Sequence, residues 1–154
     1  MEFQEVERRV SEALRAFQTE DLYLLEHNLS ERCIASRMAH HLQRYFPEYS
    51  VDVEYNRSGD SPKRLGLPDG CANSVDDNGC ALVVPDIIVH RRGPNGRNLL
   101  GIEVKKAGDP RGTDCDRNRI QALRATLKYC YGAILECETR RRRQPGVVVS
   151  EWLR

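Results

Sequence analysis

The chain has 154 residues, 40% of them hydrophobic and 31% charged, with a formal net charge of +1. That is enough apolar material for a single domain, residues 1–154, with a core of its own, and it excludes the composition of a disordered chain. No window approaches the ~18 uninterrupted apolar residues of a membrane span, and the opening MEFQEVERRV is a charged amphipathic run instead of a signal peptide, so the expectation is a cytoplasmic protein with no membrane partner.

The small net charge hides an asymmetry. Residues 1–30 hold seven acids against three bases, whereas residues 91–154 hold fifteen bases against seven acids. A separation of this kind points to a half that faces a polyanion. Without an export signal the six cysteines read as free thiols, with Cys33, Cys130 and Cys137 in periodic segments as small core residues. Cys71 and Cys80 fall in a polar stretch, where a zinc clamp with Cys115 or a histidine is conceivable, although the spacing fits no short zinc-knuckle pattern.

In chain order, Phe3, Val6, Val10, Leu14 and Phe17 recur at three- and four-residue steps and predict an amphipathic helix over 2–17. A second helix is expected to start near Asn28 or Ser30, with Ile34, Met38, Leu42 and Tyr45 on its stripe, and to stop before Pro47. In SVDVEYNR, Val51, Val53 and Tyr55 alternate with polar residues, the period of a half-buried strand. Residues 58–80 are rich in Gly, Pro, Asp, Asn and Ser and predict a long loop, which in a small domain is usually functional. Two strands at about 81–91 and 98–105 follow, joined by RRGPNGRN. A helix then carries Ile120, Leu123, Leu127 and Cys130 on one face and stops near Gly132. AILEC reads as a short strand, 139–146 as a basic loop, and VVVSEWLR as a last strand or a helical tail. This order suits an α/β sandwich around a mixed sheet.

The hairpin carries the chemistry. Glu103 and Lys105 are two apart on a strand and share a face, while Ile102 and Val104 point to the other side. Asp86 lies one strand earlier. A two-residue turn at Asn95-Gly96 sets it opposite Lys105, a four-residue loop from Gly93 to Gly96 sets it opposite Glu103, and a three-residue loop breaks the cluster unless a bulge restores it. Two carboxylates ~5 Å apart repel unless something positive sits between them. Hard oxygen ligands with no accompanying His or Cys suggest Mg²⁺ or Mn²⁺ there, with Lys105 adding charge toward a phosphate or an attacking water. Glu31 falls three residues before Ile34 and seven before Met38, on the buried stripe of its helix; the alternative is a capping box with Asn28, and the two roles are compatible. His90 shares the parity of Asp86 and could border the site, but the favoured reading is a surface or hydrogen-bonded histidine. One of His40 and His41 must face outward.

Pro85-Asp86, sixteen intervening residues, and Glu103-Val104-Lys105 resemble the motif of the PD-(D/E)XK nuclease superfamily. ERCIASRMAHHL, VDVEYNR, PKRL, VVPDIIVHRRG and NLLGIEVKK look like a group of small bacterial proteins in it, over roughly residues 21–138. The resemblance implies a restriction-endonuclease-like three-layer sandwich, a mixed β-sheet with an αβββαβ core, here with an extra N-terminal helix. It also implies a Mg²⁺-dependent nuclease in which Asp86 and Glu103, with the carbonyl of Val104, hold the metal, Lys105 orients or deprotonates water, and Glu31 supplies the helix carboxylate. The alternative is an inactive nucleic-acid-binding or protein-interaction module on the same fold. Phosphate contacts are expected from Lys106, Arg91, Arg92, Arg117 and Arg124, with Arg119, the Arg140–Arg143 run, Lys63 and Arg64 as further candidates. The partner would be nucleic acid, DNA first, and cutting two strands would favour a homodimer.

Overall fold

The computed structural model describes residues 1–55, 57–58, 61–62, 71, 74–75, 81–82, 84–93, 97–110, 113–141 and 143–154. Helix α1 (Phe3–Glu20) buries Val6, Val10, Ala13, Leu14 and Phe17, the expected stripe with Phe3 only half-buried, and the helix itself runs about one turn past Phe17. A short α2 (Tyr23–Glu26), which the periodicity does not reveal, leads to α3 (Glu31–Tyr45). The α3 N-cap is Ser30, whose hydroxyl accepts from the Cys33 N–H at 3.2 Å. The capping box with Asn28 is therefore not formed. Asn28 stands two residues ahead of the cap at φ 51°, in a left-handed turn that Asn tolerates. Helix α3 ends at Tyr45, two residues before Pro47.

Strand β1 (Ser50–Val53) stops at Glu54, whose φ of 48° breaks the extended backbone, so the run to Tyr55 is shorter than expected and Val53 is exposed. Two-residue strands β2 (Arg57–Ser58) and β3 (Ser61–Pro62) pair with each other, as do β4 (Ser74–Val75) and β5 (Ala81–Leu82). The strand expected over 81–91 is thus two pieces: β5 pairs with β4, and β6 (Ile87–His90) joins the main sheet after the break at 84–86. The rest of the 58–80 segment lies outside the described residues. Strand β7 (Asn98–Lys106), helix α4 (Asp114–Leu127), β8 (Tyr131–Glu138) and β9 (Gly146–Leu153) complete the chain.

The main sheet has five strands in the order β1-β6-β7-β8-β9. It is mixed: β1, β6 and β7 form an antiparallel meander, β8 runs parallel to β7, and β9 is antiparallel to β8. Helix α4 makes the crossover that a parallel pair requires. Strand alternation divides the core between the two faces. Ile87, Val89, Leu100, Ile102, Val104 and Leu135 pack with α1 and α3. Ile88 and Ile134 pack with Ile120 and Leu123 of α4, Tyr129 and Leu153. The molecule is an α/β sandwich with helices on both sides of the sheet.

Helix α4 lies close against that sheet because two positions beneath it lack a Cβ. A Cβ on Gly132 would stand 2.0 Å from the Ile120 Cγ2, and one on Gly101 would stand 3.4 Å from the Leu123 Cδ1. The helix ends at Leu127, earlier than the pattern predicts, because Lys128 turns left-handed at φ 57° and the Asn98 amide donates to the Leu127 carbonyl at 2.7 Å. Cys130 consequently falls past the helix and is exposed, contrary to its expected place in the core, while Cys137 is buried and Cys33 half-buried. The tail from Gly146 is a strand. No helix among the described residues is long and apolar enough to cross a membrane.

Candidate active site at one end of the central hairpin

The register decides which side chains meet. Ile87 pairs with Ile102, so Asp86, one step before β6, stands beside Glu103, the arrangement a four-residue loop would give. The chain reaches it differently. A bulge between Val89 and His90 shifts the pairing so that His90 meets Asn98, and the Arg91 N–H donates to the Arg97 carbonyl. The turn residues Asn95 and Gly96 lie outside the described residues. On β7, Glu103 and Lys105 share the face of Gly101, which is the face covered by α4.

Asp86 is half-buried, and its Oδ2 accepts from the Val104 N–H at 2.7 Å. Burial pushes its carboxyl up to about 6 against the pull of that amide and of Arg119, and the charges of Glu31 and Asp116 push the same way as burial. Glu103 is 2% exposed. Its Oε2 accepts from the Arg119 guanidinium at 2.8 Å, while Oε1 is buried with no hydrogen-bond partner among the described residues. Burial, with the charge of Asp86 added, raises Glu103 to about 8, and the Arg119 bond only partly offsets this. The Lys105 ammonium donates to Asp116 Oδ2 at 3.0 Å and lies 4.0 Å from Asp109 Oδ2. Arg119 also bonds Asp116 and reaches the Cys71 carbonyl at 3.4 Å.

Glu31, in the first turn of α3, sends Oε1 to the Lys106 N–H at 3.0 Å, just past Lys105 on β7. It reaches the backbone at the end of β7, and its charge is felt at Asp86. A small recess of about 220 Å³, lined by Arg32, Ala35, Ser36, Val53, Glu54 and Asp86, opens onto the Asp86 carboxylate. Asp86, Glu103, Lys105 and Glu31 thus gather around one end of the β6–β7 hairpin. Asp116, Asp109 and the inward turn of Arg119 escape the sequence reading. The signal for Asp116 was present: it is four residues before Ile120 and seven before Leu123, on the helix face that packs on the sheet.

The basic residues scatter instead of forming one face. Arg91 and Arg92 lie past the other end of β6, about 16 Å from Asp86 at ~3.3 Å per residue. Arg91 rests 5.3 Å from the Tyr49 ring, and Arg92 is paired with Asp52, which also lies 2.8 Å from His90 Nε2. His90 is accordingly a buried, hydrogen-bonded histidine. Arg117 is held by Glu151 and Asp114, Arg124 has a buried Nε with no partner among the described residues, and Arg119 serves the interior instead of a phosphate. Lys106 stays at the site's end of the hairpin, bonded to Asn28. Lys63, Arg64 and Arg142 lie outside the described residues. His41 is buried against Asp21 and His40 is exposed.

Cys71 and Cys115 are joined in a disulfide, with Cα atoms 5.0 Å apart. This corrects the expectation of free thiols and removes both from any zinc clamp, because the chain brings Cys71 against the first turn of α4 where Cys115 sits; Cys80 lies outside the described residues. Among the described residues no group of three or more His, Cys, Asp or Glu is assembled for a metal. What is assembled is a pair of neighbouring carboxylates, one of them held by Arg119 and with its other oxygen buried and unpartnered among the described residues. Mg²⁺ commonly takes one or two carboxylates and fills its shell with water and substrate oxygens, so the donor set, with the orphan Glu103 oxygen, fits such an ion. No family model, curated protein or solved structure matches the chain.

Proposed function

We propose that the chain is a metal-dependent nuclease on a restriction-endonuclease-like fold, hydrolysing phosphodiester bonds of nucleic acid. The observation that carries the reading is the buried Glu103, with one oxygen unpartnered, beside Asp86 and two residues from Lys105 on the same strand. Buried polar atoms are almost always satisfied, and an exception of this kind calls for an explanation, of which a bound ion, an ordered water and a catalytic role are the usual ones. Leaving aside the two-residue strands β2–β5, which are not part of the main sheet, the order α3, β1, β6, β7, α4, β8 is compatible with the αβββαβ order that the motif resemblance implies.

In this reading Asp86 and Glu103 hold Mg²⁺ or Mn²⁺, joined by the Val104 carbonyl. The bound ion supplies a lowered pKa for its water and charge against the leaving oxygen. The chain does the rest. Asp116 fixes the Lys105 ammonium, which orients the attacking water. Arg119 holds one oxygen of Glu103 and leaves the other for the ion. Glu31 pins the end of β7 through the Lys106 amide, so the strand carrying Glu103 and Lys105 cannot shift against α3.

Cleavage of single- and double-stranded DNA and RNA with Mg²⁺, Mn²⁺ or EDTA tests this. Metal-dependent cutting is expected, lowered on the order of 100-fold or more in Asp86→Ala and Lys105→Ala. A folded Lys105→Ala protein that cuts as fast as wild type would sink the proposal. A second reading, a binding module without chemistry, is favoured by the engagement of Arg119 and Lys105 with Asp116. Its mark is affinity that falls with salt and ignores Mg²⁺.

A further inference from the structure

We propose that the groove beyond the C-terminal end of β7 binds single-stranded nucleic acid, with the Tyr23–His27 ring pair as the platform for an unpaired base. The inference rests on the nuclease reading and names its substrate class. Three observations converge on it: an exposed aromatic stack, the Lys106 and Arg141 cations in a lining of mixed charge, and Glu31, which the groove shares with the candidate site.

Tyr23 is 63% exposed, the most exposed of the large apolar side chains among the described residues. Its ring stacks on that of His27, with centroids 3.7 Å apart and planes 20° from parallel. The pair is held in place, since His27 Nδ1 donates to the Tyr23 carbonyl one helical turn back at 3.0 Å. Water gains nothing from a fixed, flat aromatic surface, whereas every nucleobase has a face that stacks on one.

His27 is also part of the lining of a groove of about 1170 Å³, together with Asn28, Glu31, Lys106, Arg140 and Arg141. The Lys106 ammonium is held by neutral oxygens, Asn28 Oδ1 at 2.8 Å and the Asn28 carbonyl at 3.3 Å, which position the charge without cancelling it. Arg140 is ion-paired with Glu138, its Nε donating at 2.8 Å, and crosses Gly108, where a Cβ would stand 2.8 Å from its Nη1, so the cations of the lining left for phosphate are Lys106 and Arg141. Glu26, Glu31 and Asp109 are the acids of the lining. Glu31 accepts the Lys106 amide and Asp109 lies 4.0 Å from the Lys105 ammonium, so those two face β7.

The base platform discriminates strand state. In a duplex each base face is covered by its neighbour and the outer surface is phosphate and groove edge, so an aromatic platform has nothing to stack on. An unpaired strand offers phosphates to Lys106 and Arg141 of the lining and a base to the ring pair that His27 brings to the groove's edge. On β7 the groove lining starts at Lys106, the residue after Lys105, and it includes Glu31, so groove and candidate site adjoin at the end of that strand.

Fluorescence anisotropy in EDTA, where metal-dependent turnover stops, tests binding apart from cleavage. The probes are fluorescein-labelled oligothymidylate and oligouridylate of about 12 nucleotides, within the range one such site covers, and a DNA duplex of the same length. Both single strands are expected to bind more tightly than the duplex. Tyr23→Ala should weaken them roughly ten-fold with the duplex unchanged, and Tyr23→Phe should keep the affinity. A stronger oligouridylate signal would assign RNA, a stronger oligothymidylate signal DNA. Duplex binding as tight as single-strand binding, or indifference to Tyr23→Ala, overturns the proposal. A protein that shows the Tyr23-dependent affinity but never cuts in Mg²⁺ keeps the groove and loses the nuclease; one that cuts with no Tyr23 effect does the reverse.

Discussion

Glu103 holds a carboxyl in the interior against α4 with one oxygen on Arg119 and the other unmatched. Its carboxyl is raised from 4.5 to about 8, first by burial and then by the neighbouring charge of Asp86. For an acid raised on folding, the native state binds more protons than the unfolded chain between those two values, so stability falls as pH climbs from 4.5 through 8. Replacing Glu103 with Gln removes the ionisation and keeps the shape. The expected result is that the thermal stability of Glu103→Gln, relative to wild type, improves steadily from pH 5 to pH 8.5. Parallel pH profiles for the two proteins would show that Glu103 is not held neutral by its surroundings. Mg²⁺ gives a companion test with the same readout: binding to the native state alone raises its melting temperature by mass action. The rise is expected in wild type at pH 8, and little or none in Glu103→Gln.

At the level of elements, the approach of α4 to the sheet sets how near Asp116 and Arg119 come to β7, and two glycines permit it. A Cβ at Gly132 would collide with the Ile120 Cγ2 at 2.0 Å, whereas one at Gly101 meets Leu123 at an ordinary contact distance of 3.4 Å. Gly132→Ala should therefore destabilise by about 1–3 kcal/mol or more through overpacking, and Gly101→Ala by clearly less, as urea denaturation would show. If the two cost the same, the close packing of Ile120 on β8 is wrong. The helix periods of α1 and α3 and the face shared by Glu103 and Lys105 were legible, because each follows from a period of 3.6 or 2 that local sequence carries, whereas the turn length left the partner of Asp86 open between Lys105, Glu103 and Val104. The rest depended on long-range events. The strand at 81–91 reads as one apolar run, yet Ala81–Leu82 find their partner in Ser74–Val75, which no period announces. Arg119 looks like a surface cation until Glu103 is seen beneath it. Asp86 reaches Glu103 through a bulge at His90, and loop counting alone cannot distinguish a bulged register from a plain one.

Over the whole molecule, the candidate site joins three separate parts of the chain: the start of α3, the β6–β7 hairpin and the first turn of α4. Cys71 adds a fourth, because its bond to Cys115 spans 44 residues and its carbonyl accepts from Arg119, the side chain that grips Glu103. Sequence alone argued for free thiols, and an even cysteine count carries no pairing information. A cross-link over a loop of this length removes freedom from the unfolded chain and stabilises by about 2–4 kcal/mol. Reduction should lower the urea midpoint accordingly, and the double variant Cys71→Ser, Cys115→Ser should match the reduced protein and ignore reductant. The disulfide sits at the margin of the cluster and not within it. Lys105, Asp116 and Glu103 are held by contacts that do not pass through sulfur, so metal-dependent cutting should survive reduction at temperatures where the reduced protein stays folded. A midpoint indifferent to reductant would mean that the bond does not form, and loss of cutting from a still-folded reduced protein would mean that Cys71 positions Arg119 more firmly than one 3.4 Å hydrogen bond suggests.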